Sequence, residues 1–136
     1  MRRIVLDTNC LIQVIPLRSK MRFVWDAYLS GEYTICVSNE ILNEYHEMIS
    51  TLGNPQVADL ILSVIINSPY TEFFDPRFRF NIITEDPDDN KFVDCAIVSQ
   101  AEFIVSNDHH FDEVKRCPFP KVDVVTLQEF SETLAH

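Results

Sequence analysis

The chain has 136 residues, 46% of them hydrophobic, enough for one sizeable core but not comfortably for two, so residues 1–136 read as one domain. Twenty-one acidic against eleven basic side chains leave a formal charge of −10, which argues against tight, nonspecific phosphate binding by the bare protein. No run approaches the ~18 apolar residues of a membrane span, and two glycines, Gly31 and Gly53, exclude a glycine-rich phosphate loop; the chain reads as cytoplasmic, with no membrane partner.

Arg3-Ile4-Val5-Leu6 is a short apolar run that stops at Asp7-Thr8-Asn9, residue types that cap helices, so a strand is predicted to lead directly into a helix. That helix, residues 10–15, ends at Pro16, which disfavours helical backbone in the residue before it. Residues 21–29 repeat apolar side chains at helical spacing and close at Ser30-Gly31. Residues 33–37 form a second buried strand, and Ser38 caps a helix whose Ile41, Leu42, Tyr45, Met48, Ile49 and Leu52 make a core-facing stripe. Gly53-Asn54-Pro55 breaks the chain before a further buried helix, residues 57–66.

Residues 69–79 are aromatic, contain Pro69 and Pro76, and read as a loop or edge segment. Residues 81–84 are predicted to be a strand, and the acidic turn at 85–90 opens a helix with Phe92, Val93, Ala96, Ile97 and Ala101 on its apolar face. A strand at 102–106 ends at Asn107-Asp108, and a last strand at 122–125 precedes a terminal helix capped by Thr126. Strands alternating with helices predict an α/β protein with three layers, α/β/α, around a mainly parallel, twisted central sheet. Cys10, Cys36, Cys95 and Cys117 are scattered without a CxxC pair or zinc-type spacing; the first three lie among apolar neighbours and read as buried free thiols.

The chemistry is suggested by where the acids fall. Asp7 ends the first strand, Asp89 opens a helix and Asp108 ends another strand. In an open parallel sheet, strand carboxyl ends and the helix starts that follow share one edge, so three remote aspartates are expected to meet there, with Glu44 reaching in from its helix. Each acid alone is explained by capping or by the helix dipole, but independent caps have no need to be aspartate at strand end after strand end. Crowded carboxylates repel and commonly hold a cation; oxygen ligands suit Mg²⁺ or Mn²⁺ rather than zinc, and those ions promote phosphodiester hydrolysis. The adjacent His109 and His110 project in different directions and are not read as ligands.

Four ordered segments, 4–9 (IVLDTN), 37–44 (VSNEILNE), 86–96 (DPDDNKFVDCA) and 101–108 (AEFIVSND), resemble the motifs of PIN domains, most nearly the VapC-like toxin components of bacterial toxin–antitoxin systems. The resemblance spans nearly the whole chain. It implies a metal-dependent endoribonuclease with metal-binding and catalytic acids at Asp7, Glu44, Asp89 and Asp108, and with Thr8 or Asn9 orienting the first carboxylate or a water. For the third acid Asp88 and Asp89 are both eligible, Asp94 less so, and Asp112 would add a further contact. Ser106 stands where the family often has Thr, keeping the hydroxyl. An RNA substrate, a cognate antitoxin and a homodimer are further implications.

Arg18, Lys20 and Arg22, Arg77 and Arg79, and Lys115-Arg116 are the basic clusters available to RNA, and the aromatics between Tyr70 and Phe80 are suited to base stacking, core packing or a dimer contact. A phosphatase of the haloacid-dehalogenase type would want a second aspartate two residues after Asp7, where Asn9 stands. The non-enzymatic alternative is a PIN-like interaction module whose acids assemble no working metal site.

Overall fold

The computed structural model describes residues 2–134. Five strands, β1 (Arg3–Leu6), β2 (Thr34–Val37), β3 (Thr71–Phe73), β4 (Phe103–Val105) and β5 (Val124–Val125), pair in parallel in the order β3-β2-β1-β4-β5. Between and after them run α1 (Thr8–Val14), α2 (Arg22–Leu29), α3 (Asn39–Leu52), α4 (Pro55–Asn67), α5 (Asn90–Ser99), α6 (Asp112–Arg116) and α7 (Leu127–Ser131). Helices cover the sheet in the α/β/α arrangement that the alternation predicts. β1 is its central strand, and Ile4, Val5 and Leu6 are fully buried without polar alternation, as a parallel strand covered on both faces requires.

From β1 the chain steps outward through β2 to β3, then returns through α5 to place β4 on the other side of β1. That reversal makes the β1/β4 boundary a topological switch point, where diverging connections open a crevice at the strand carboxyl ends. Local signals set the element ends. The Ser38 hydroxyl accepts the Ile41 N–H at 3.3 Å, the Asn54 side-chain Oδ1 accepts the Val57 N–H at 2.9 Å, and Thr126 and Glu129 form a reciprocal capping box. Gly31 ends the second helical segment at φ 83°, and a Cβ there would lie 2.5 Å from the Tyr70 ring.

Several expectations are corrected. Residues 81–84 form no strand: Asn81 adopts a left-handed φ of 52°, which breaks an extended run, and the buried Ile83 finds its backbone partners on a side chain instead of a ladder. Asn90 Oδ1 accepts the Ile83 N–H at 2.9 Å and its Nδ2 donates to the Ile83 carbonyl at 2.9 Å. Of the two readings of 69–79, loop or edge segment, the edge holds for Thr71–Phe73, which is the edge strand β3. Leu52, assigned to the core stripe, is 65% exposed in the last turn of α3, and α4 presents Val57, Leu60 and Ile66 to solvent, so it is buried along one side only. The stretch after Asp108, given no element, contains a 3₁₀ turn (His109–Phe111) and α6. Cys10, Cys36 and Cys95 are buried free thiols, as expected, and no described helix is long and apolar enough to cross a membrane.

Asn90 replaces two backbone bonds for the buried Ile83, just before the cleft-forming turn. Asn90→Ala is therefore expected to cost about 1–3 kcal/mol, the scale of leaving buried backbone groups unpaired. Urea denaturation measures it; an unchanged midpoint would mean that water replaces the asparagine at no cost.

Candidate active site

Asp7 is the first residue beyond β1. Its N–H donates to the Val105 carbonyl at 3.0 Å, adding one rung to the β1–β4 ladder, and its side chain emerges at the strand ends while remaining only 5% exposed. Ser106, the first residue beyond β4, donates its hydroxyl to Asp7 Oδ2 at 2.8 Å, and Ser106 Oγ itself accepts the Asp108 N–H at 3.0 Å. One small hydroxyl thus ties the two strand ends together. Asp108 caps the 3₁₀ turn that follows, its Oδ1 accepting the His110 N–H at 2.9 Å.

Asp89 closes the 3₁₀ turn Pro87–Asp89 that leads into α5, a turn organised by the Asp86 side chain accepting the Asp88 N–H at 3.3 Å. Glu44 comes from α3. Its neighbour Tyr45 donates a buried hydroxyl to the Leu6 carbonyl at 2.5 Å and so fixes α3 against the end of β1. Glu44 accepts the Thr8 hydroxyl on one oxygen and the Lys91 ammonium on the other, the latter at 2.7 Å.

Asp7, Thr8, Asn9, Glu44, Asp88, Asp89 and Asp108 line a single cleft of about 290 Å³. Two other predicted residues lie elsewhere. Asp94 is buried farther along α5, its Oδ1 accepting the Phe80 N–H at 3.2 Å and its Oδ2 meeting no donor among the described residues. Asp112 begins α6 and faces solvent beside Lys115, 3.6 Å away.

Asp86, Glu47 and Lys91 were not singled out from sequence, and His110 was set aside together with His109. Asp86 and Glu47 join the cleft wall. His110 Nδ1 lies 3.2 Å from both Asp89 Oδ2 and Asp108 Oδ1 and His109 is largely exposed, yet the rings do not point apart as expected: their centroids lie 4.6 Å apart and both reach toward Glu85. Ligand atoms of Asp86, Asp89 and His110 fall within 4.8 Å of one another, as do those of Glu85, His109 and His110. No three of Asp7, Glu44, Asp89 and Asp108 approach so closely, the spacing that mutual repulsion favours. All four present oxygen to the same cleft, a donor set that fits a hard divalent ion.

The electrostatics follow from burial. Asp7 is pushed up to about 6, first by desolvation and then by the charges of Asp108 and Glu44, against the opposing hydrogen bonds from Ser106 and the Thr8 backbone. Asp89 is also raised to about 6 by desolvation, helped by Asp86, Asp7 and Asp108 and opposed by the His110 hydrogen bond. Burial pulls the Lys91 ammonium down, but its bonds to Glu44 and Asp88 outweigh that and hold it above the ordinary value. For His110 desolvation likewise acts downward and is outweighed by Asp89, Asp108 and Glu85, which favour the charged ring.

The family profile described as PIN domain matches residues 3–110. No curated protein matches the chain by sequence. Among solved structures the fold is similar to that of VapBC2 from Rickettsia felis, crystallised bound to a DNA fragment from its promoter, with a TM-score of 0.63 and 18% identity over 91% of this chain and 98% of that one. DNA-bound VapBC from Salmonella typhimurium gives a TM-score of 0.61 and 18% identity, covering 93% of this chain and 99% of that one. The Mycobacterium tuberculosis toxin VapC20, which cleaves the sarcin-ricin loop, gives 0.59 and 12% identity, covering 80% of this chain and 92% of that one.

An Asp7 pKa near 6 in the folded chain, against 3.8 in its absence, means that the folded state binds more protons between those values. This contribution is therefore full below pH 3.8, falls as pH rises to about 6, and is a constant penalty above that. Asp7→Asn removes the titrating group and is expected to stabilise the metal-free protein at neutral pH by on the order of 2–3 kcal/mol, with little gain near pH 4. Urea melts in chelator at both pH values read the difference directly. A variant less stable than wild type at neutral pH would mean that Asp7 is not held at a cost.

Proposed function

The chain belongs to the PIN domain family, and on that premise we propose that it is a metal-dependent endoribonuclease, the toxin of a toxin–antitoxin pair. The observation that carries this reading is the meeting of Asp7, Asp89 and Asp108, with Glu44 facing them from α3, in one cleft at the strand carboxyl ends. Likeness in fold to VapC20, a loop-cleaving toxin, supports RNA as the substrate class, and the VapBC neighbours support an antitoxin partner.

Asp7, Asp89 and Asp108 are the residues that would hold Mg²⁺ or Mn²⁺. When bound, such an ion supplies water activation and charge stabilisation for hydrolysis of a phosphodiester. The chain's own part is preorganisation. Ser106 holds one oxygen of Asp7 in place, the His110 N–H orients Asp108, and Thr8 steadies Glu44, so the carboxylates face the cleft before substrate arrives. Burial raises Asp7 and Asp89 to about 6, a cost of ionisation that a bound cation, which favours the ionised form, would relieve. A net charge of −10 repels RNA, and a basic antitoxin segment and the cleft ion are the two sources of compensation this reading requires.

Asp108→Asn is expected to lower Mn²⁺-dependent cleavage of an unstructured RNA by at least ~10²-fold, the scale for losing a preorganised charge-bearing group. Mg²⁺ should raise the melting temperature of the wild type more than that of the variant, because an ion that binds only the folded state stabilises it by mass action. Cleavage assays on gels together with thermal melts test both. Equal cleavage by variant and wild type, with contaminating nucleases excluded, removes these carboxylates from the chemistry. Absence of both activity and metal binding leaves the inert interaction module.

A further inference from the structure

Seven carboxylates, those of Asp7, Glu44, Glu47, Asp86, Asp88, Asp89 and Asp108, line the cleft. Among the described residues Lys91 is the one lysine or arginine in ion-pair contact with any of them. It follows Asp89 by two residues, so the first turn of α5 carries its side chain away from Asp89 and toward α3. The side chain is 10% exposed, and Nζ lies 2.7 Å from Glu44 Oε1 and 3.1 Å from Asp88 Oδ2. Because Thr8 donates to the other Glu44 oxygen, both oxygens of Glu44 are engaged within the protein. Asp89 Oδ1 and Asp108 Oδ2, by contrast, receive no hydrogen bond from any described residue.

We infer that Lys91 is a positioning residue that serves as the site's built-in second cation: it holds Glu44 off the metal, so that the cleft takes one divalent ion, on the side of Asp7, Asp89 and Asp108. The inference rests on the metal-dependent reading above. An ion approaching Glu44 from the cleft would have to displace an ammonium already bonded to it, or settle beside that ammonium against like-charge repulsion. Where two ions otherwise clamp opposite sides of a phosphodiester, one of the positions is here occupied by a side chain that cannot leave. A salt bridge at this burial is not explained by stability alone, since the desolvation of two charges commonly cancels their attraction. The pair is better accounted for by what it does to the carboxylate that it occupies.

Titration of the full chain with Mn²⁺, following unbound Mn²⁺ by electron paramagnetic resonance, tests this. Wild type is expected to bind one ion. Lys91→Met removes the competing charge and frees Glu44 and Asp88, so it should bind a second ion at least about tenfold more tightly than wild type does. Lys91→Arg should restore a single ion. Glu44→Gln should leave the affinity for the first ion within about threefold of wild type, while Asp108→Asn weakens it by about thirtyfold or more. One ion in Lys91→Met, or an affinity loss in Glu44→Gln as large as in Asp108→Asn, would overturn the role of Lys91 while leaving the metal site standing. No Mn²⁺ binding by wild type would overturn both. If Lys91→Met does not melt cooperatively, the comparison of Glu44→Gln with Asp108→Asn decides alone, because both are made with Lys91 in place.

Discussion

The hydrogen bond from the Asp7 N–H to the Val105 carbonyl, 3.0 Å, is the contact on which the site depends. It extends a register in which Leu6 pairs with Val105, and so sets the first residue beyond β1 beside the first residue beyond β4. Ninety-nine residues separate Asp7 from Ser106, yet the parallel pairing leaves their side chains in direct contact at 2.8 Å. A slip by one residue would turn every side chain to the opposite face, so the buried run Ile4-Val5-Leu6 protects the placement of the carboxylate that follows it. Asp108 then inherits its position from Ser106, whose oxygen accepts its N–H.

Holding carboxylates together opposes folding, and the surrounding structure shows how the opposition is contained. Asp7 lies at the end of three fully buried apolar residues, and Tyr45 locks α3 to the same strand end through the Leu6 carbonyl. The core therefore supplies rigidity where the charges supply strain. Compensation inside the cleft is local and asymmetric. His110 leans on Asp89 and Asp108 from one side, and Lys91 ties Glu44 to Asp88 on the other. Asp7, the most buried of the cleft acids, contacts neither His110 nor Lys91 and is steadied by a neutral hydroxyl.

Much of this was legible in the sequence, for reasons that can be named. Asp7 and Asp108 were found because short apolar strands stop at them, and Glu44 because a helix capped by Ser38 begins at the same edge. The choice between Asp88 and Asp89 was not decidable, since a 3₁₀ turn, not a regular helix, sets their directions; the structure leaves Asp88 largely exposed at the rim and Asp89 half-buried. Residues 81–84 imitated a strand because two isoleucines suit one, and nothing local announces that Asn90, seven residues on, replaces the ladder. His110 was set aside with His109 as a pair expected to diverge, but the turn that carries them brings the rings together and places His110 Nδ1 against Asp89 and Asp108. Lys91 gave no signal at all. Its meaning comes from Glu44, forty-seven residues earlier, across a helix contact that composition does not encode.

The distribution of positive charge bears on how an acidic chain would meet a polyanion. Of the eleven lysines and arginines, Arg2, Arg3, Arg22, Arg79, Lys91 and Lys115 are engaged with acids of the chain itself. Arg18, Lys20, Arg77, Arg116 and Lys121 form no salt bridge among the described residues, and they are dispersed between the loop after α1, the aromatic segment after β3, the end of α6 and the chain that follows it. A continuous basic track, the ordinary source of affinity through counterion release, is not built from five scattered charges. On the proposed reading, attraction for RNA would depend on an ion held by Asp7, Asp89 and Asp108 and on contacts with unpaired bases, for which the exposed Phe78 beside Arg77 offers a stacking face. On the same reading, a substrate drawn in by so few charges would be selected at the cleft rather than captured along the surface, and the same poverty of cations would leave the acidic mouth open to a basic protein partner.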